Sequence, residues 1–149
     1  MTSTDNDEPG TYDRASITLP DFKNWSATKV YDYENEVVDY ETLEKLNSTI
    51  RQARLALFKT TESINKYDRL ETTAKTNYDR AFRREFLSST AKTEAEKRMR
   101  AALKCEDLEN DWLVQQQIGE ELVRLSHTLR LELQSLQGLG NNIRQQMKV

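Results

Sequence analysis

Residues 39–87 read DYETLEKLNSTIRQARLALFKTTESINKYDRLETTAKTNYDRAFRREFL. Leu43, Leu46, Ile50, Ala53, Leu57, Thr60, Ile64, Tyr67, Ala74, Tyr78 and Ala81 recur at steps of three and four, the spacing of a single helix face, with a soft point at Glu71. Phe82, Phe86 and Leu87 add a heavier apolar cluster at the end. Neither helix breaker interrupts the stretch: there is no glycine between Thr11 and Ile118 and no proline between Asp21 and Val149. The pattern predicts one long helix from about 39 to 87.

Working outward toward the C-terminus, residues 88–93 are short and polar and predict a turn. Thr93-Glu94-Ala95-Glu96 matches a capping box, in which the Thr hydroxyl and the second Glu carboxylate satisfy free backbone donors at a helix start. A second helix is expected over about 94–137, carrying Met99, Ala102, Leu103, Leu108, Trp112, Ile118, Leu122, Leu125, Leu129, Leu133 and Leu136. Its spacing drifts from a strict heptad, as a local packing change would require. Gly119 is expected to allow close helix approach, and Gly138 and Gly140 to mark a break or kink before a C-terminal segment, 138–149. The short connection makes the two helices antiparallel neighbours.

Toward the N-terminus, residues 1–38 form an acidic arm. Residues 1–20 hold both prolines and little to bury, which predicts disorder. Residues 21–38 are expected to be extended or a short helix docked on the body, because Trp25 favours burial. Tyr31 and Tyr33 alternate with acids, a strand-like pattern. The expected fold is therefore all-α: a long antiparallel, coiled-coil-like helical hairpin over 39–149 with a largely irregular, partly disordered N-terminal arm. Leu55, Leu57 and Phe58 lie on different sides of one helix, as do Leu131 and Leu133, so apolar faces are in surplus and a homo-oligomer is expected.

Composition agrees with a thin seam. Of 149 residues, 36% are apolar and 32% charged, too polar for a thick layered core. No apolar run is long enough to span a membrane, and MTSTDNDEPG lacks a secretory pattern. Cys105 is the only cysteine, which excludes an intrachain disulfide and fits a cytoplasmic setting. The net charge of −3 hides an uneven distribution: −8 over residues 1–44, +8 over 45–104 and −3 over 105–149.

Enzyme chemistry has little support. His127, the only histidine, lies about six helical turns from Cys105, so no dyad forms within one helix. Glu106, Asp107, Glu109 and Asp111 lack the Glu-x-x-His pair of bundle metal sites. The glycine-free centre has no phosphate loop. No catalytic residue, metal or cofactor is expected. The turn is more informative. Arg80, Arg83 and Arg84 close the first helix, Lys92 lies in the turn, and Lys97, Arg98, Arg100 and Lys104 open the second. A chain doubling back between Leu87 and Glu94 gathers these cations beside Tyr78, Phe82 and Phe86, a surface for a protein partner or for nucleic acid. In the arm, Trp25, Tyr31 and Tyr33 are candidate anchors for a partner, and the arm's negative charge is an alternative occupant for the cationic region.

YDRAFRREFLSS (78–89), KTEAEKRMRAAL (92–103) and LRLELQSLQGLGNNIRQQM (129–147) resemble a family of small helical proteins encoded by tailed bacteriophages of Gram-positive and actinobacterial hosts. The resemblance runs over roughly residues 78–147 and implies a phage origin and a host bacterial cytoplasm rather than a particular activity. The expected role is a non-enzymatic module that binds a host or phage replication, recombination or defence protein. The alternatives are a DNA-binding accessory protein and a virion assembly or scaffolding protein.

Overall fold

The computed structural model describes residues 17–22 and 25–147. The disorder expected for the first residues falls, over 1–16, outside the described residues. The chain is mostly helical, in the order α1 (Ala27–Val30), β1 (Tyr31–Asp32), β2 (Val37–Val38), α2 (Tyr40–Ser88), α3 (Glu94–Lys104) and α4 (Glu106–Met147). By packing it divides into two compact units. Residues 63–122 make one; residues 17–62 and 123–147 make the other.

In the unit of residues 17–62 and 123–147, local chemistry sets the start of α2. The Asp39 carboxylate accepts from the Thr42 amide at 3.3 Å and from the Thr42 hydroxyl, while the Asp39 carbonyl accepts from the Leu43 amide at 2.9 Å. These bonds satisfy donors that the first helical turn leaves free. The Asp39 amide donates to the Val30 carbonyl at 2.8 Å, tying the arm to the helix start. β1 and β2 pair antiparallel, Tyr31 with Val38 and Asp32 with Val37. Asp32 accepts the Glu34 and Asn35 amides and the Asn35 side chain, which closes the intervening turn. The core is Val30, Tyr31, Leu46, Ile50, Leu136 and Ile143, with Phe22, Trp25, Val38, Leu43, Leu133 and Leu139 packed against it. Residues 17–38 are thus not a loose arm where they are described; Val30 is fully buried.

In the unit of residues 63–122, α2 ends at Ser88 and the Thr93 hydroxyl caps α3 by accepting the Glu96 amide at 3.2 Å. Tyr67, Ala91, Ala101, Cys105 and Leu122 are buried. Tyr78 stacks on Trp112 at 5.7 Å, and Lys104 pairs with Glu85 at 3.1 Å, so in this unit α2 meets both α3 and α4.

Four expectations need correction. The second helix is not continuous over 94–137: it is interrupted at Cys105, where φ is −101° and ψ 10°. The Cys105 amide still donates to Ala101 and the Cys105 carbonyl still accepts from Glu109, so the interruption is local to one residue and the backbone hydrogen bonds continue across it. Gly138 and Gly140 do not break α4, which runs to Met147. An interior glycine costs roughly 0.5–1 kcal/mol relative to alanine, too little to interrupt a helix anchored by Leu136 and Ile143. Gly119 mediates no close approach among the described residues, since a Cβ there would meet none of them within 4 Å. Met99 and Leu103 are not seam residues either: they are 63% and 68% exposed. On α3 the small Ala101 and Cys105 are the buried positions instead.

Candidate functional site

The basic and aromatic surface of the 63–122 unit is built on one face of α2. Tyr78, Phe82 and Phe86 are spaced at i, i+4 and i+8 and therefore share that face. Their rings follow one another at 5.9 Å and 6.5 Å, forming a half-buried aromatic row. Arg83, on the flank of this row, and Arg98, from α3, line the same groove of about 520 Å³ together with the row and Asp79. Lys97 reaches over the Phe86 ring at 6.0 Å, an edge-of-range cation–π contact.

The structure sorts the eight cations. Arg83 and Arg98 face the groove, Lys97 covers its Phe86 end, and Lys104 is engaged by Glu85. Arg80 and Arg84 are exposed, and a helix turning roughly 100° per residue carries them to the far side of the aromatic row. Lys92 and Arg100 are exposed and line no part of this groove. The groove thus holds two guanidinium groups over an aromatic floor, neither of them in an ion pair among the described residues. Leu87, 74% exposed, and the exposed Met99 and Leu103 give the same unit bare apolar surface.

Burial decides the chemistry of the nearby titratable groups. Desolvation pushes the Tyr78 phenol above its ordinary value, with the Glu109 carboxylate adding to it. Burial likewise raises the Cys105 thiol, with Glu85 adding and Lys104 opposing. A neutral, buried thiol is a packing group rather than a nucleophile. His127 is exposed. Among the described residues no group of three or more His, Cys, Asp or Glu side chains could hold a metal ion.

The arm anchors are largely used internally. Tyr31 is buried in the other unit's core, Trp25 packs half-buried against that core and lines a groove with Asp21 and Lys29, and Tyr33 stays exposed, edge-on to Tyr31 at 4.9 Å. The arm's described residues pack on Leu46, Ile50, Leu136 and Ile143.

One cationic cluster was missed by reading the sequence. Arg51 and Arg54 on α2 meet Arg144 on α4 around a second groove, with Asn47, Gln137 and Asn141. The i, i+4, i+7 spacing of Asn47, Arg51 and Arg54 was a signal for one wall of it, but Arg144 joins only across the fold. No helix of the described residues is long and apolar enough to cross a membrane. No protein-family model matches the chain, and no curated protein or solved structure is significantly similar to it.

Proposed function

We propose that this chain is a non-enzymatic, phage-type interaction module that binds a protein partner through the turn end of a rigid antiparallel helical hairpin. The observation that carries this reading is the groove in which Arg83 and Arg98 flank Tyr78, Phe82 and Phe86. Aromatic residues and arginine dominate the energetics of protein interfaces, because they bury large areas with few rotatable bonds and donate in fixed directions. The complementary ligand is an acidic segment carrying an apolar or aromatic anchor. The exposed Leu87, Met99 and Leu103 give the same unit apolar surface, which suits protein and offers nothing to a phosphodiester backbone.

A DNA-binding accessory role is the alternative reading of the same cations. It is weakened by the acids among them: Asp79 lines the groove, Glu85 holds Lys104, and Glu94 lies one turn before Lys97 and Arg98. A virion assembly role and a homo-oligomer draw support from exposed Leu55, Phe58, Val123 and Leu131. The setting we infer is the host bacterial cytoplasm, with no cofactor.

A peptide-display selection on the immobilised full chain tests the leading reading. The expected result is enrichment of acidic peptides with an aromatic or aliphatic anchor, whose binding falls more than about tenfold in Arg83→Glu/Arg98→Glu. A salt-sensitive DNA mobility shift abolished by the same variant, with no peptide enriched, would hand the surface to nucleic acid.

A further inference from the structure

Arg51, Arg54 and Arg144 converge on a groove of about 450 Å³ within the unit of residues 17–62 and 123–147. The volume lies in the range of small-molecule sites, about 300–1,000 Å³. Its other polar walls are the amides of Asn47, Gln137 and Asn141, and among the described residues no carboxylate lines it. Among the described residues none of the three guanidinium groups is held in an ion pair. The sequence explains why: no acid stands three or four residues from Arg51, Arg54 or Arg144, whereas Arg83, Lys97, Arg98 and Arg100 each have one at that spacing.

The hydrogen bonds set the polarity of the groove. Arg144 donates through Nη2 to Asn47 Oδ1 at 3.1 Å and through Nη1 to Asn141 Oδ1 at 3.4 Å. Arg51 Nε donates to the Asn47 backbone carbonyl at 3.4 Å. With both Asn oxygens occupied, their NH2 groups are the ends left to offer. Among the described residues the groove therefore presents N–H donors and positive charge, with few acceptors and no negative charge. Three converging guanidinium groups that lack counter-ions repel one another, and an anion rich in acceptors relieves that repulsion while pairing with the planar forks.

We propose that this groove is an anion site that takes a phosphate group, Arg51 and Arg54 gripping it from α2 and Arg144 from α4, with the Asn47 and Asn141 amides donating beside them. The phosphate belongs to a free phosphorylated molecule of nucleotide size or to a polynucleotide backbone. Both present the same oxyanion chemistry.

Sodium pyrophosphate titrated into the isotope-labelled full chain, against sodium chloride at matched ionic strength, tests the site by NMR. Saturable shifts are expected at the side-chain N–H signals of Arg51, Arg54 and Arg144 and at the Asn47 and Asn141 amides. Arg51→Gln/Arg54→Gln should weaken binding about tenfold or more, since hydrogen bonds to charged groups carry most of such an affinity. Arg144→Lys keeps the charge but loses the fork and should also weaken it. The single variant Arg54→Gln serves should the double variant lose its helical circular dichroism. A short single-stranded DNA that displaces pyrophosphate assigns the site to a polynucleotide; one that does not assigns it to a free phosphorylated molecule. Shifts that never saturate and are matched by chloride, or an affinity unchanged in the folded Arg variants, overturn the proposal.

Discussion

Gln115 sits in the seam of the 63–122 unit at 1% exposure, and neither its Oε1 nor its Nε2 has a hydrogen-bond partner among the described residues. It borders a cavity of about 100 Å³ whose polar walls are Thr73, Asn77 and Asp111. A buried amide without partners costs about 1–3 kcal/mol, more than the packing value of its stem. Gln115→Met, of similar length, is expected to raise stability by about 1 kcal/mol or more in urea melts, and a loss would show that the amide is paired. Thr60 is the contrasting case: equally buried, it donates its hydroxyl to the Ala56 carbonyl at 2.7 Å and leaves nothing orphaned. Both residues fall on the apolar spacing, and their polarity was readable from the sequence. Which of the two would find a partner was not, because Thr bonds within its own helical turn and Gln must reach outside it.

Asp39 and the α4 glycines show how far local signals govern an element. The hydrogen bonds from the Thr42 side chain and then the Thr42 amide hold the Asp39 carboxyl below its ordinary 3.8. A folded pKa below the unfolded one contributes stability that is fully present above the unfolded value and is lost as pH falls through the folded one. Asp39→Ala should therefore lower the melting temperature above about pH 5 and lose that effect in strong acid. The glycines predict the opposite sign of change. A Cβ at Gly119 or Gly138 would meet none of the described residues within 4 Å, and one at Gly140 would touch Leu46 Cδ2 at an ordinary 4.0 Å. Gly119→Ala and Gly138→Ala should each stabilise by roughly 0.5–1 kcal/mol in thermal melts. Helix identity and the Thr93 cap were legible because propensity and capping act over a few residues. The interruption at Cys105 was not, since its backbone hydrogen bonds remain and no breaker residue marks it.

At the scale of the whole molecule, the two cationic grooves belong to different units and draw on different residues. Their functions should separate: Arg83→Glu/Arg98→Glu is expected to keep the pyrophosphate response and lose peptide binding, and Arg51→Gln/Arg54→Gln to do the reverse, read by NMR and by peptide capture in parallel. One variant abolishing both in a folded chain would contradict the separation. The sequence by itself determined the helical character, the start of α2 at Asp39 and the capped restart at Thr93, because backbone propensity, apolar period and capping are properties of neighbours along the chain. Only the tertiary structure decided that Val30 and Tyr31 enter a core, that Met99 and Leu103 stay outside one, and that Arg144 joins Arg51 and Arg54. Those outcomes depend on which side chains meet across a long separation in sequence, and volume and charge complementarity at such meetings leave no trace in local spacing.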